Sequence, residues 1–325
     1  MAHHGAMKRA IKALAVVTTA GMLLVLVAGA TVTNTGSEHG CGKSWPLCQG
    51  KFIPQFAFTT AIEYVHRIDA GLETILILTL SAGAWYLYGH RREIRILAPL
   101  MVSFLFLQAG LGAWAVMEPQ ASAVLALHFG VSLVAFACVL LTTLFLFNAD
   151  GSDSLRDIRP PVRFRRYVWA LSAFTYVVVY SGAYVRHSDA DEACSGWPLC
   201  NNRVIPVLHD KVASNFGHRL LAATLTLAIA LLVLWAFRLR RSRPDLFSAA
   251  VAVLVLLGLQ IIAGAAVAWT RVDVFAAVAH AGIIGLMFGA LCTLCLRVLP
   301  RPAIREQAHK VTAMSPAADA APVGR

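Results

Sequence analysis

Charge is what this sequence has least of. Asp, Glu, Lys and Arg make up 14% of its 325 residues, where a soluble domain averages about 25%. With 58% hydrophobic residues beside that scarcity, an ordinary soluble domain is excluded. Acids are scarcer than bases, 17 against 28, which leaves a formal net charge of +11. In a soluble chain that surplus would point to nucleic acid, so its placement has to decide. The outer loops lack C-x-x-C spacing, which weakens a redox dithiol. No pair of Gly/Pro-broken segments lies at mid-span, which weakens a transporter with parallel repeats.

What is present is apolar sequence in long runs, near 11–32, 60–88, 97–117, 121–147, 167–186, 212–237, 246–270 and 274–298. Each is close to or above the roughly 20 residues a helix needs to cross about 30 Å of hydrocarbon. An all-α integral membrane protein of eight spans is expected, with both termini on one side. That side collects Lys8, Arg9 and Lys12; Arg91, Arg92 and Arg95; Arg156, Arg159, Arg163, Arg165 and Arg166; Arg238, Arg240, Arg241 and Arg243; and Arg297, Arg301, Arg305, Lys310 and Arg325. The positive-inside rule puts these segments and both termini in the cytoplasm of a cell-membrane protein. The basic surplus is thus topology, and the expected partner is the lipid bilayer, not nucleic acid.

The chain repeats itself. Trp45-Pro46-Leu47-Cys48 matches Trp197-Pro198-Leu199-Cys200, His66-Arg67 matches His218-Arg219, Gln108 matches Gln260, Gly112 matches Gly264 and His128 matches His280, each pair 152 positions apart. Ahead of the Trp-Pro motif the offset is 153, as between Val27-Ala28-Gly29-Ala30 and Tyr180-Ser181-Gly182-Ala183. That counterpart, well inside the chain, argues that the first span is retained and is not a cleaved signal peptide. An even number of spans per copy makes the repeats parallel. Two pseudo-symmetric four-helix bundles are expected, over 1–148 and 149–299, followed by a polar, Ala/Pro-rich tail at 300–325 that reads as disordered.

Each copy carries two span histidines. His66 and His128 both fall roughly 9–10 Å below the outer surface at 1.5 Å per residue, and His218 and His280 are level by the same count. Level imidazoles on different helices of a bundle suit the two axial positions of a heme held between them. The plainer alternative is that each His is only an interhelical hydrogen-bonding residue. Around His66 the second span also holds Glu63, Arg67, Asp69 and Glu73 in one helical arc, which lipid would penalise and which therefore faces inward. The matching residues of copy two are Asn215, Arg219, Leu221 and Leu225. The acids belong to copy one alone. Glu63 can serve as a carboxylate beside a bound heme or simply pair with Arg67. Arg67 and Arg219 are candidates for ion-pair or heme-propionate contacts, and the purpose of Asp69 and Glu73 is open.

Cys41 with Cys48, and Cys194 with Cys200, lie in the outer loops, where thiols oxidise. Each pair is expected to close its loop as a disulfide, a catalytic dithiol being the sharper alternative. Cys138, Cys292 and Cys295 read as small apolar residues of the spans.

Together Glu63-Tyr-Val-His66-Arg67, Leu127-His128-Phe129-Gly130, Phe216-Gly217-His218-Arg219, Ala279-His280-Ala281-Gly282 and the two Cys-…-Trp-Pro-Leu-Cys loops resemble the heme A synthase family over roughly residues 15–298. The resemblance implies an enzyme that oxidises the C8 methyl of heme O to a formyl group, giving heme A for terminal cytochrome oxidase. It implies His66 and His128 as ligands of the substrate heme and Glu63 as the catalytic carboxylate. It likewise implies His218 and His280 as ligands of a heme b that passes electrons, with heme sites toward the outer face. Heme O synthase and cytochrome oxidase assembly factors are the implied partners, and a homo-oligomer is compatible with it. Cys41 and Cys48 match the family's outer-loop pair; Cys194 and Cys200 transfer less directly. The competing function is a diheme b-type membrane electron carrier, which accounts for four histidines but not for acids in one half only.

Overall fold

The computed structural model describes residues 2–55, 57–118, 121–149 and 158–299. The tail expected to be disordered, 300–325, and most of the linker between the copies lie outside them. Among the described residues eight α-helices account for the architecture: α1 (Ala2–Asn34), α2 (Phe58–Tyr88), α3 (Arg92–Met117), α4 (Ser122–Asn148), α5 (Val162–His187), α6 (Asp210–Arg238), α7 (Pro244–Trp269) and α8 (Val274–Val298). All eight are long and apolar enough to cross a membrane, so the chain is a multi-pass membrane protein.

Long apolar runs dictate these helices because a backbone in hydrocarbon must satisfy its own hydrogen bonds. Local signals set the ends. Pro244 begins α7, where a missing N–H costs nothing, and the Asp273 carboxylate accepts from Ala276 N–H at 3.1 Å to cap α8. Short connections at 89–91, 118–121, 239–243 and 270–273 join antiparallel neighbours. The long loops between α1 and α2 and between α5 and α6 lie at the same end as the short connections after Met117 and Trp269. That end is called the disulfide end below.

Packing follows the repeat. Helix α1 packs on α2 and α4, and α3 packs on the same two; α5 through α8 form the corresponding ring. Between the halves, α1 lies on α8 and α4 on α5, which are equivalent pairs under the repeat, while α4 meets α8, its own equivalent. Small residues permit that approach, as expected where lipid offers helices no hydrophobic incentive to associate. Gly282, Gly285 and Gly289 share one face of α8; a Cβ on them would reach Val27 at 3.4 Å, Leu26 at 3.5 Å and Leu140 at 2.7 Å, side chains of α1 and α4. At the disulfide end Arg186 of α5 donates to Asn34 Oδ1 and to the Thr33 carbonyl of α1, both at 2.9 Å. Thr33 and Arg186 are equivalent positions, 153 apart. That contact joins equivalent positions of the two copies.

Candidate functional site: paired histidines beneath disulfide-closed loops

The helix register repeats with the sequence. His66 is the ninth residue of α2 and His128 the seventh of α4; His218 is the ninth of α6 and His280 the seventh of α8. Within each ring, α2 and α4, or α6 and α8, stand at opposite corners, not as packed neighbours. The two histidines of a half are therefore presented from opposite corners, at similar depth below the disulfide end.

Each imidazole lies on a glycine of the adjoining helix. A Cβ would come within 3.2 Å of His66 at Gly29 of α1, 3.2 Å of His128 at Gly112 of α3, 2.8 Å of His218 at Gly182 of α5 and 3.0 Å of His280 at Gly264 of α7. Any larger residue there would push the ring. Sequence reasoning found these glycines as repeat markers but gave them no task. The same holds for Gln108 and Gln260, whose side-chain amides meet His128 Nε2 and His280 Nε2, both at 3.1 Å; Gln108 also donates to the Ser132 hydroxyl. Ser181 sits 2.9 Å from His218 Nδ1, a contact whose copy-one position is Ala28.

Three ring nitrogens, Nδ1 of His66, His128 and His280, are buried without a hydrogen-bond partner. A buried polar atom left unmet costs about 1–3 kcal/mol, so such atoms mark places built for something else. Among the described residues no group of three or more His, Cys, Asp or Glu side chains comes together to hold a metal ion. Two imidazoles per half are the donor set of a metal whose remaining ligands come with it. A heme, which brings four nitrogens of its own and asks for two axial ligands, fits that set.

Glu63 is buried, at 4% exposure. Its Oε2 accepts from Cys41 N–H at 2.7 Å, and Oε1 accepts from Arg67 Nη2 at 2.6 Å and Nε at 3.2 Å. The arginine continues upward, donating through Nη1 to the carbonyls of Ser44 at 2.7 Å and Leu47 at 2.9 Å. Copy two keeps the arginine half of this arrangement. Arg219 donates to Asn215 Oδ1 at 3.0 Å and to the carbonyls of Gly196, Leu199 and Cys194 at 2.9, 3.0 and 2.9 Å. This explains why Arg219 stands beside a neutral residue: both arginines clamp the outer loop, and the anion is not needed for that. Asn215 reverses the polarity, donating to the Ala190 and Asp191 carbonyls at 2.8 and 3.1 Å where Glu63 accepts.

The clamped loops are alike. Cys41–Cys48 and Cys194–Cys200 are both disulfide-bonded, with Cα atoms 4.5 and 4.7 Å apart, and their sulfur-bearing residues are almost fully buried. Beside each, Cys48 pairs with Lys51 and Cys200 with Arg203 in an isolated antiparallel bridge. Cys138, Cys292 and Cys295 are free thiols, as the spans suggested.

Fold and site thus define a class: an all-helical, multi-pass membrane protein with a duplicated two-histidine site capped by a disulfide-closed loop. The family described as Cytochrome oxidase assembly protein (COX15-CtaA) matches residues 12–292. The chain belongs to that family. Its relatives include proteins named heme A synthase from Geobacillus kaustophilus, 40% identical over 96% of this chain and 99% of that protein, and from Geobacillus thermodenitrificans, 41% identical over 91% and 95%. A third, from Alkalihalophilus pseudofirmus, is 39% identical over 91% and 99% and bears the same name.

Proposed function

We propose that this protein is a heme A synthase, working as two four-helix bundles with different tasks. The first holds heme O between His66 and His128 and oxidises its C8 methyl to a formyl group. The second holds a heme b between His218 and His280, whose iron supplies one-electron redox chemistry. The observation that carries this division is the exchange of Glu63 for Asn215 between two sites that share their histidines, their arginine and their disulfide-closed loop. A half that needs only to hold a heme can dispense with an anion.

The protein's own groups then have distinct work. The glycine seats and the Gln108, Gln260 and Ser181 contacts fix the ring planes. Glu63, fixed in place by Arg67 and by a backbone N–H, is a preorganised carboxyl group one helical turn from His66, suited to stabilising positive charge that develops at the substrate's edge. Disulfide-closed loops above the histidines limit water. Arg67 and Arg219 each make four hydrogen bonds within this architecture; contact with heme propionates belongs to the same proposal.

In the plasma membrane, with both termini cytoplasmic, the disulfide end faces outward, which suits two loops whose cysteines are oxidised. Heme O synthase and cytochrome oxidase assembly factors are the partners this activity calls for, and homo-oligomers are compatible with it. An electron carrier would leave the one-sided acids and the relatives' shared name without an account. Glu63→Gln, purified with a heme O supply, should retain both hemes yet lower heme A formation by about 100-fold or more, read by extracting and separating the hemes. Normal heme A formation by that variant would remove Glu63 from the chemistry.

A further inference from the structure

Below Glu63 on α2 lie two more carboxyls that the site does not use. Glu73 is 2% exposed, and its Oε1 has no hydrogen-bond partner; nor has Oδ2 of Asp69, one turn nearer His66. Among the described residues no salt bridge joins either carboxyl to a cation. Helices α1 and α3, which flank α2, carry no ionisable residue between Lys12 and Asn34 or between Arg95 and Met117. On α2 itself, Arg67 is committed to Glu63 and the loop.

The fold makes room for Glu73 deliberately. Its Oε2 lies where a Cβ on Gly21 of α1 would approach to 2.1 Å, so any other residue at 21 would displace the carboxyl. The equivalent positions of the second half are Phe174 and Leu225, and both pack in that half's apolar core; Leu221 replaces Asp69 and does the same. The helix ring closes without acids there. Copy one has exchanged a Phe/Leu contact for Gly/Glu, accepting a buried polar group that costs stability. An isolated carboxylate in such surroundings is far costlier than the acid.

We propose that Glu73, reached through Asp69, is a proton-holding site coupled to the charge at the His66–His128 pair. This rests on the reading of that pair as a heme site. With a heme between those histidines, an added electron would favour the protonated carboxyl, and its removal would favour release of the proton through Asp69. Oxidising a methyl to a formyl group with oxygen from water yields as many protons as electrons; the electrons would leave singly to an external one-electron acceptor, and each proton that Glu73 gives up through Asp69 would leave a carboxylate able to take the next.

The test is a redox-triggered infrared difference spectrum of the purified, heme-loaded full chain. Wild type should give a carboxylic-acid carbonyl band when the heme is reduced. Glu73→Gln should abolish it, and Asp69→Asn should shift it, with heme content and optical spectrum unchanged. Gly21→Ala, which keeps the acid but crowds it, should shift the band without removing it and guards against misfolding of the Gln variant. Heme A formation should fall by about tenfold or more in Glu73→Gln. A band that survives Glu73→Gln, or no band in a wild type whose heme reduces fully, overturns the proposal. If wild type makes no heme A, the enzymatic reading fails instead; if it does, and Glu73→Gln matches it in rate and spectrum, only the proton site falls.

Discussion

At the scale of single residues, the four glycine seats make a graded experiment. The added Cβ would stand 2.8 Å from the ring at Gly182 but 3.2 Å at Gly112, and contacts under about 3 Å force a shift. On the proposed division of hemes between the halves, Gly182→Ala should therefore lower heme per purified protein more than Gly112→Ala does. The histidines themselves were legible in the sequence, because an ionisable residue in a span is costly and a repeat repeats it. Their seats were not. Gly29 and His66 are 37 positions apart, and only the packing of α1 on α2 brings them together. The clamp by Arg67 and Arg219 was equally hidden, since it is made to backbone carbonyls, which every residue offers alike. An ion pair between Glu63 and Arg67 was foreseeable from their i, i+4 spacing and is present at 2.6 Å.

Among elements, helix positions were the most readable feature and helix ends the least. Every apolar run became one helix, but α1 begins at Ala2 where the run starts near 11, and α5 at Val162 where it starts near 167. In both cases the helix continues through basic residues beyond the apolar stretch, because backbone hydrogen bonding does not stop where hydropathy does. The outer loops are elements in their own right, each a disulfide-closed turn hung on an arginine. Arg219→Met would free the Gly196, Leu199 and Cys194 carbonyls together. The segment 195–209 should then be cut several-fold faster by an added protease, while the first loop, held by Arg67, keeps its wild-type rate. Equal rates before and after the change would mean that the disulfide alone holds the loop.

For the whole molecule, the repeat is most informative where it is broken. Arg91 in the first half is exposed, whereas its equivalent, Arg243, is 1% exposed. Arg243 makes a paired contact to both Asp245 oxygens at 2.8 Å and donates to the carbonyls of Ile158 and Arg297 at 2.8 and 3.0 Å. It thus gathers the entry to α5, the start of α7 and the end of α8 at the end opposite the disulfides. Arg243→Met leaves Asp245 without its main partner in that junction. Asp245 is only partly buried, so the loss falls short of that for a fully buried pair, but the purified variant should still melt below wild type. A melting point within a degree of wild type would show the junction to be dispensable. Arg91→Met, by contrast, should leave the melt unaltered.

One bond described above ties chemistry to biography. The N–H that holds Glu63 is that of Cys41, whose sulfur is bonded to Cys48. A newly inserted chain with its thiols still reduced lacks the closed loop that presents this donor. Oxidation of the loop is therefore expected to complete the cradle of that carboxylate, with the Arg67 contacts to the Ser44 and Leu47 carbonyls holding the loop until then.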